Sequence, residues 1–476
     1  MKRNLVTLTL LGLLGLFASS CTGNDKAKTE ENASPESYWI QTDVPARPAG
    51  QEDMLLFRAP KLDTVRIGFI GLGMRGPGAV DRMAQIEGTD IVALCDLYSE
   101  RTDYANEILA KRGRHAAETY SGSKEAWKQL VERPDIDLVY IATNWQTHVE
   151  MALYAMEQGK HVAVEVPAAF SLEDIWNLIN TSERTRKHCM MLENCVYDFF
   201  EMATLNMAQQ GLFGEVLYAE GGYLHNLEPF WEYYEGNWRM DYNQKHRGDI
   251  YPTHGMGPAA QVLGIHRGDK MNVLVSMDSK PVSIPAYLKK KGKEDPNFQN
   301  GEHTMTFIRT EKGKTIYIHH DTASPHPYDR LYLVQGTKGK AQKYPVEHFS
   351  FVSDELLSGG EMPDHENLNM EEWLNPEQQK ALIEKYKHPI TRELEEVAKK
   401  VGGHGGMDFI MDYRLIYCLR NGLPLDQDVY DLAEWCCLVP LSKISIEHGF
   451  APVAVPDFTR GGWDKTDGYH HYMIGE

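Results

Sequence analysis

A glycine-rich hexapeptide near the beginning of the globular part of the chain has the residue types needed to hold a diphosphate. It reads Gly71-Leu72-Gly73-Met74-Arg75-Gly76 and directly follows the apolar run 65–70. Glycines at this spacing, between a strand and a helix, let the backbone approach a pyrophosphate at the helix N-terminus. Asp96 ends the next apolar run, where a carboxylate binds the adenosine ribose and repels a 2′-phosphate. The pattern predicts NAD; Arg101 keeps NADP as an alternative, and a nucleotide-free sheet is the competing interpretation.

Two further polar segments follow apolar runs in the same half of the chain. They are Asn144-Trp145-Gln146-Thr147-His148 and Glu165-Val166-Pro167. Strands that alternate with helices are typical of a doubly wound parallel sheet, whose ligands bind at the carboxyl ends of the strands. We therefore expect an α/β fold class. An N-terminal Rossmann domain with a doubly wound parallel sheet would occupy 61–195, and a C-terminal α+β domain with an open sheet would occupy 196–476.

The second half contains a dense group of aromatic residues. Eight of them lie between Tyr223 and Tyr251, well above the 10% of the whole chain. Rings beside hydrogen-bonding groups suit a sugar, whereas an aromatic core edge or a subunit interface is the competing interpretation. His254 is spaced to share a helical face with Tyr251, although a lone histidine is more often structural. No group of His, Cys, Asp or Glu has metal-ligand spacing, so we expect no metal.

The motifs of the first half together resemble those of the Gfo/Idh/MocA oxidoreductase family. They are the glycine-rich turn, the Thr-Asn-x-x-His segment that ends at His148, and the run from Gly159 to Pro167. The family usually has a lysine at the position of Val166, where it helps hydride transfer. It also has a catalytic histidine, which His254 resembles, with an aspartate four residues earlier, where this chain has Ile250. Both departures argue against an ordinary sugar dehydrogenase.

A closer resemblance covers nearly the whole chain and is to glycoside hydrolase family 109, the NAD-dependent α-N-acetylgalactosaminidases. It is carried by the motifs above and by Glu193-Asn194-Cys195-Val196-Tyr197, Asn237-Trp238-Arg239, Tyr251-Pro252-Thr253-His254 and 403–408. The resemblance implies NAD contacts from Gly71, Gly73, Met74, Arg75, Gly76, Asp96, Trp145, Gln146, Thr147, His148, Glu165, Val166 and Asn194. It implies a sugar site made by Tyr223, Arg239, Tyr251, Pro252, Thr253, His254 and Tyr328. The catalytic candidates are His254, Tyr197 and Tyr251, and the role of His404 is left open.

The resemblance also implies a mechanism. An ordinary glycosidase uses two carboxylates and has no need of NAD, whereas NAD-dependent glycosidases are an exception. Hydride leaves C3 of the sugar, the C2 proton is removed, the C1 aglycone is eliminated, water adds, and hydride returns. We expect hydrolysis of terminal α-N-acetylgalactosamine on a glycan or glycoconjugate, with retention. The alternatives are an exported NAD(P)-dependent sugar or polyol oxidoreductase and a non-catalytic glycan-binding lipoprotein.

The first residues predict export. A basic start precedes the mostly apolar run 5–18, which is short for a membrane span, and small residues then lead to Cys21, as in a bacterial lipobox. We expect a lipoprotein signal peptide at 1–20, lipidation of Cys21 and a flexible tether at 21–60. An ordinary signal peptide is the alternative. The protein would be anchored to a bacterial membrane by lipid alone, on the periplasmic or cell-surface side.

Charge and compartment limit the function further. The formal net charge of −19 argues against nucleic acid as a partner. An exported enzyme has no free NAD pool to exchange with, so a cycle that returns its hydride is favoured over net oxidation. The cysteines after Cys21 are predicted to be buried free thiols, with one disulfide as the alternative. A homo-oligomer is left open.

Overall fold

The computed structural model describes residues 38–351 and 372–475, so the expected signal peptide and Cys21 lie outside the described residues. In the described ranges the chain forms a six-stranded parallel sheet and an eight-stranded mixed sheet. The first sheet has the order β3-β2-β1-β4-β5-β6, which is that of a dinucleotide-binding fold, so the expected fold class is confirmed. Its strands are β1 (Val65–Ile70), β2 (Thr89–Cys95), β3 (Glu118–Tyr120), β4 (Leu138–Ile141), β5 (His161–Val164) and β6 (Cys189–Met191).

The register of this sheet aligns the strand ends that carry the predicted ligand groups. Ile70 on β1 pairs with Cys95 on one side and with Ile141 on the other, and Ile141 pairs with Val164. Because all these strands are parallel, the residues that follow them meet at one edge of the sheet. The connecting helices are α1 (Gly76–Met83), α2 (Ser99–Lys111), α3 (Ala126–Val131), α4 (His148–Glu157) and α5 (Leu172–Thr185).

The second sheet is open and mixed. Its strands are β7 (Val216–Leu224), β8 (Met271–Asp278), β9 (Thr304–Thr310), β10 (Thr315–Asp321), β11 (Leu333–Gly336), β12 (Gly339–Gln342), β13 (His348–Phe351) and β14 (Val453–Ala454). Their order is β13-β12-β11-β7-β10-β9-β8-β14, and β7 runs parallel to β10. The other helices of the described chain are α6 (Phe199–Gln209), α7 (Trp238–Lys245), α8 (Thr253–Leu263), α9 (Ser283–Lys290), α10 (Pro376–Tyr386), α11 (Pro389–Val401), α12 (Met407–Asn421), α13 (Val429–Cys436) and α14 (Leu438–Glu447).

The C-terminal helices return to the first sheet. Helix α13 packs on α5 and on β6. Arg82 on α1 pairs with Asp412 on α12 at 2.7 Å, and the Tyr430 hydroxyl on α13 donates to Glu183 on α5 at 2.7 Å. All four side chains are buried. Two elements assigned from the sequence to the second domain therefore cover the first one.

The expected tether at 21–60 is wrong for its described part. Residue Ile40 donates its backbone N–H to Pro452 and accepts from Ala454, so it extends the edge of the second sheet. Arg47 pairs with the buried carboxylate of Glu183 at 3.1 Å. A polar, proline-containing segment can thus lie along a folded surface when its backbone and its arginine find partners there.

Residues 376–401 form two helices, α10 and α11, and not one continuous helix. Pro389 stands at the first position of α11, where its ring is tolerated, whereas in a helix interior it would remove a hydrogen bond. In the described ranges no helix is both long and apolar enough to cross a bilayer.

Candidate active site

The edge formed by the glycine-rich loop and β2 fits a dinucleotide. The backbone N–H of Leu72 donates to Oδ2 of Asp96 at 2.7 Å, so the carboxylate fixes the loop. Its Oδ1 accepts from the backbone of Tyr98 at 3.1 Å and from Arg101 Nη1 at 3.3 Å. Space stays open over Gly73, where an added Cβ would meet nothing nearer than Arg101 Nη1 at 3.7 Å. An open glycine cradle beside a buried carboxylate is what NAD requires.

Arg75 links this loop to two carboxylates. Its Nε lies 3.1 Å from Glu165 Oε1, and its Nη1 lies 3.3 Å from Asp408 Oδ2. Asn194 donates to the other oxygen of Asp408 at 2.5 Å. The Glu165 charge raises the pKa of Arg75 against the opposite effect of burial, so the guanidinium is a fixed cation. Three predicted NAD contacts thus meet at one place, while the adjacent Met74 is 53% exposed.

The segment after β4 contributes a short 3-10 helix, Trp145–Thr147, followed by α4. Trp145 is buried, whereas Gln146 is exposed. The ring nitrogens of His148 lie 2.9 Å from the carbonyl oxygen of Pro167 and 3.2 Å from that of Thr143. Burial lowers the pKa of His148, so the ring is neutral and fixes the backbone of the loop.

His254 lies in the first turn of α8 and is held there by a close approach of two backbones. A Cβ built on Gly255 would lie 2.3 Å from the backbone nitrogen of Gly222 on β7. Only glycine allows α8 to rest this closely on the strand. The contact brings the ring of His254 to 5.4 Å from that of Tyr223, measured between centroids.

A buried carboxylate holds one nitrogen of His254. Nδ1 lies 2.7 Å and 2.9 Å from the two carboxylate oxygens of Glu193, which is fully buried. Burial alone would raise the pKa of Glu193, but its partners lower it, His254 first and then the backbone N–H of Cys195, so it is a carboxylate. Nε2 of His254 lies 3.4 Å from the hydroxyl of Tyr251. The arrangement is that of a histidine whose second nitrogen is available for proton transfer.

Aromatic rings and one arginine lie next to this pair. The Tyr223 and Tyr251 rings are 4.6 Å apart, and Tyr328 lies 6.2 Å from Tyr223. The guanidinium of Arg239 lies over the rings of Tyr251 at 4.8 Å and Trp145 at 5.0 Å. Its Nη2 is buried and has no hydrogen-bond partner among the described residues. Four predicted sugar contacts are therefore brought together, with an unsatisfied donor between them.

Three other predicted contacts are also buried. Thr253 is fully buried, Pro252 is buried, and Val166 is 7% exposed, close to the 8% of Tyr223, Tyr251 and Arg239. Thr253 therefore offers no side-chain surface to a ligand, whereas Val166 is about as accessible as the predicted sugar contacts.

His404 forms a second histidine–carboxylate pair. Its Nδ1 lies 2.9 Å from Asp408 Oδ2 and 3.3 Å from Arg75 Nη1, and its side chain is 53% exposed. Residues 402–406 all have positive φ, and His404 is the single non-glycine among them. The loop therefore holds an imidazole beside Arg75, at the edge of the sheet that carries the predicted NAD contacts.

The structure does not bring Tyr197 into this group. Its side chain is fully buried, and its hydroxyl donates to Asp426 at 3.2 Å, beside the ring of His471. The short helix Asn194–Tyr197 turns the ring into the core below α12. The acid/base role predicted for Tyr197 is therefore corrected to that of a buried anchor.

Sequence reasoning does not find two carboxylates and one histidine of this site. Glu193 and Asp408 lie within the motifs at 193–197 and 403–408 without an expected role, and His225, whose Nδ1 lies 2.9 Å from the Tyr223 hydroxyl, lies outside the motifs. Burial lowers the pKa of His225 to about 4, so it is neutral. Glu193 offers a usable signal, because it lies two residues after β6, near the strand ends that Asp96 and Glu165 follow directly.

Fold and edge define a protein with an NAD-binding oxidoreductase domain. Residues 65–193 match the model of the oxidoreductase family with an NAD-binding Rossmann fold. Solved structures of similar fold include an NAD-binding oxidoreductase from Klebsiella pneumoniae, with a TM-score of 0.62, 16% identity and coverage of 82% of this chain and 99% of that one. Levoglucosan dehydrogenase in complex with NADH has a TM-score of 0.60, 17% identity and coverage of 83% and 99%.

The second half identifies the family. Residues 197–465 match the model of the glycosyl hydrolase 109 C-terminal domain. Glycosyl hydrolase family 109 protein 1 of Phocaeicola vulgatus is 61% identical over 99% of both chains. The protein of the same name in Bacteroides fragilis is 63% identical over 96% of this chain and 97% of its own. The chain belongs to glycoside hydrolase family 109 and is an NAD-dependent glycoside hydrolase.

Proposed function

We propose that the protein removes terminal α-linked N-acetylgalactosamine from glycans, with retention and without net oxidation. One observation carries the proposal: His254 and His404 each have a carboxylate beside Nδ1. They lie at the edge where the NAD-binding sheet meets the aromatic pocket, by which we mean Tyr223, Tyr251, Tyr328 and Arg239. Elimination of an aglycone needs a base at C2 and an acid at the glycosidic oxygen. Net oxidation of an alcohol needs one base, so the second pair favours hydrolysis.

His254 is the base at C2. When bound, NAD would supply a reversible hydride acceptor for C3, and the ketone left at C3 would make the C2 proton acidic. Because Nδ1 of His254 donates to Glu193, its Nε2 carries the lone pair that takes this proton. The hydroxyl of Tyr251, 3.4 Å from Nε2, is placed to share the proton or to hold the neighbouring sugar oxygen.

His404 is the acid at the glycosidic oxygen. Burial alone would raise the pKa of Asp408, but the hydrogen bond from His404 and the charge of Arg75 hold it well below its usual range. The carboxylate therefore keeps a proton on Nδ1 of His404. To act as the acid, the ring also carries a proton on Nε2, as an imidazolium whose charge Asp408 offsets, and it gives this Nε2 proton to the departing aglycone oxygen. The same ring activates the water that adds to C1.

The aromatic pocket holds the sugar. The rings of Tyr223 and Tyr328 offer apolar faces to its C–H groups. The unpaired Nη2 of Arg239 is a donor only, so it suits an oxygen acceptor such as the acetamido carbonyl. A sugar oxygen there would satisfy a buried group that is otherwise costly.

Val166 argues against the oxidoreductase alternative. It occupies the position where related dehydrogenases are expected to have a lysine, and it is buried against the core. An apolar side chain cannot deprotonate a hydroxyl, so this chain lacks the lysine that the related dehydrogenases are expected to use. The C3 hydroxyl proton, which the hydrolytic cycle also releases and later takes back, is exchanged with another group or with solvent.

The test is incubation of the purified protein with 4-nitrophenyl N-acetyl-α-galactosaminide in heavy water, without added cofactor. We expect release of nitrophenol, deuterium at C2 of the sugar, and no lasting reduction of NAD. His254→Ala should abolish both release and exchange. No release, together with NADH that accumulates on free sugars, would establish the oxidoreductase instead.

We also propose export and lipid anchoring through Cys21, which the sequence of the first residues supports. Expression in a bacterium fed with labelled palmitate tests this. Label should enter the parent and be lost in Cys21→Ser; label in both variants would refute the assignment.

A further inference from the structure

Glu193 has a structural position that no ligand contact explains. It lies two residues after the end of β6, its side chain is fully buried, and both carboxylate oxygens face Nδ1 of His254. The backbone N–H of Cys195 donates to Oε1 at 3.0 Å, and Gln427 Nε2 donates to the backbone carbonyl at 3.0 Å. The group is therefore fixed from both its side chain and its backbone.

We propose that Glu193 is the positioning residue for the base: it fixes the proton of His254 on Nδ1 and so leaves Nε2 to accept the C2 proton. The inference rests on the proposed role of His254. An ionised carboxylate accepts hydrogen bonds only, so a neutral imidazole beside it must carry its proton on the facing nitrogen. When Nε2 takes the proton, the negative charge of Glu193 offsets the new positive charge.

The place of this carboxylate in the chain is specific. The position four residues before His254, where the related dehydrogenases are expected to have an aspartate, holds Ile250, which is 1% exposed and apolar. Asp249, the nearest carboxylate in the chain, accepts from the backbone of Tyr251. Glu193 therefore supplies, from a strand end of the NAD-binding sheet, the carboxylate that α8 does not bring.

Within residues 38–351 and 372–475, no arginine or lysine contacts this pair. Two polar side chains lie beside it: Thr253, and Cys195, whose sulfur receives Arg330 Nη1 at 3.2 Å. Arg330 itself pairs with Asp198 at 2.8 Å and with Glu201 at 2.6 Å. The guanidinium is thus neutralised by other carboxylates, and the charge of Glu193 acts on His254.

Glu193→Gln tests the inference, because the amide has the same shape but can donate to Nδ1 and so move the proton to Nε2. We expect kcat to fall about 10²- to 10⁴-fold, with KM changed less than about threefold. Deuterium entry at C2 should fall in step. Reduced nicotinamide, seen by its near-ultraviolet absorbance, should accumulate on the enzyme, because hydride transfer precedes the impaired step.

Two variants control the experiment. Glu193→Asp keeps the carboxylate and should recover part of kcat, and it decides the matter if Glu193→Gln does not fold. Glu183→Gln changes another fully buried carboxylate, one that pairs with Arg47 and Arg460 and not with His254. The folded fraction of this variant should have the kcat of the parent. Parental kcat in Glu193→Gln, with an inactive His254→Ala, overturns this inference alone. A parental rate in His254→Ala overturns the proposed function as well.

Discussion

Replacement by alanine should have different effects on stability and on NAD binding at Gly73 and at Gly76 of the glycine-rich hexapeptide. A Cβ on Gly76 would lie 2.2 Å from the carbonyl oxygen of Gly71, whereas a Cβ on Gly73 would meet nothing nearer than 3.7 Å. We therefore expect Gly76→Ala to strain the folded protein itself. Gly73→Ala should leave the cofactor-free protein intact and should act only when a pyrophosphate approaches the loop.

The magnitudes follow from these distances. Ordinary contact would require the backbone near Gly76 to move by about 1 Å, and such overpacking costs about 1–3 kcal/mol. For a protein of this size the melting temperature should fall by about 2–6 °C. In Gly73→Ala the methyl group would occupy the space left for the phosphate. A comparable cost of about 2–3 kcal/mol, now in the complex, weakens NAD binding about 30- to 150-fold.

Melting curves with and without NAD, and calorimetric titration with NAD, separate the two effects. Without cofactor, Gly73→Ala should have the same melting temperature as the parent. With NAD, it should lose most of the rise in melting temperature that NAD gives the parent. Gly76→Ala should melt early in both conditions. The reasoning is refuted if Gly73→Ala destabilises the cofactor-free protein as much as Gly76→Ala, or if it binds NAD like the parent.

Three further outcomes are expected. Asp96→Asn keeps an acceptor for the backbone of the loop, removes the charge that repels a 2′-phosphate, and frees Arg101 from its ion pair. The ratio of NADP affinity to NAD affinity, measured by titration, should therefore rise about 10-fold or more. An unchanged ratio would contradict this reasoning. Tyr197→Phe should lower kcat less than about threefold, whereas Tyr251→Phe should lower it about 10-fold or more; equal effects would restore Tyr197 to the mechanism. Burial raises the pKa of Asp249 from 3.8 to about 7, so its contribution to stability is complete below about pH 4 and is lost as pH rises towards 7. Asp249→Asn should therefore gain stability over the parent between pH 5 and 8 in denaturant titrations, and a constant difference across this range would refute it.

The cofactor edge could be predicted from the sequence because its determinants are local. The glycine-rich loop, Asp96 and Glu165 each follow directly on an apolar run, and the carboxyl ends of parallel strands must share an edge. The histidine pairs depend instead on distant contacts, each in its own way. Glu193 meets His254 across 61 residues. His404 and Asp408 are only four residues apart, but they reach the NAD edge through Arg75, which is 333 residues from Asp408, so no pattern in either segment names the partner.

The two corrected expectations have the same physical cause. Tyr197 lies in the motif that also contains Asn194, but its hydroxyl finds Asp426, 229 residues along the chain, and its ring is fully buried in the core. The composition of the N-terminal segment suggests solvent, yet Arg47 finds the buried carboxylate of Glu183. Residue type and composition do not determine orientation when long-range partners decide it.

The structure also suggests how an oxidoreductase fold can serve hydrolysis. The dehydrogenases of similar fold share little sequence with this chain, so the likeness establishes the architecture alone. Two features of the edge bear on the proposed function: an apolar Val166 where a lysine is expected, and the loop 402–406, which brings His404 to Arg75. In the proposed mechanism, the first removes the lysine expected of a dehydrogenase, and the second supplies an acid for the departing aglycone. On this proposal, one proton donor from the second half is enough to direct a reversible hydride transfer towards hydrolysis.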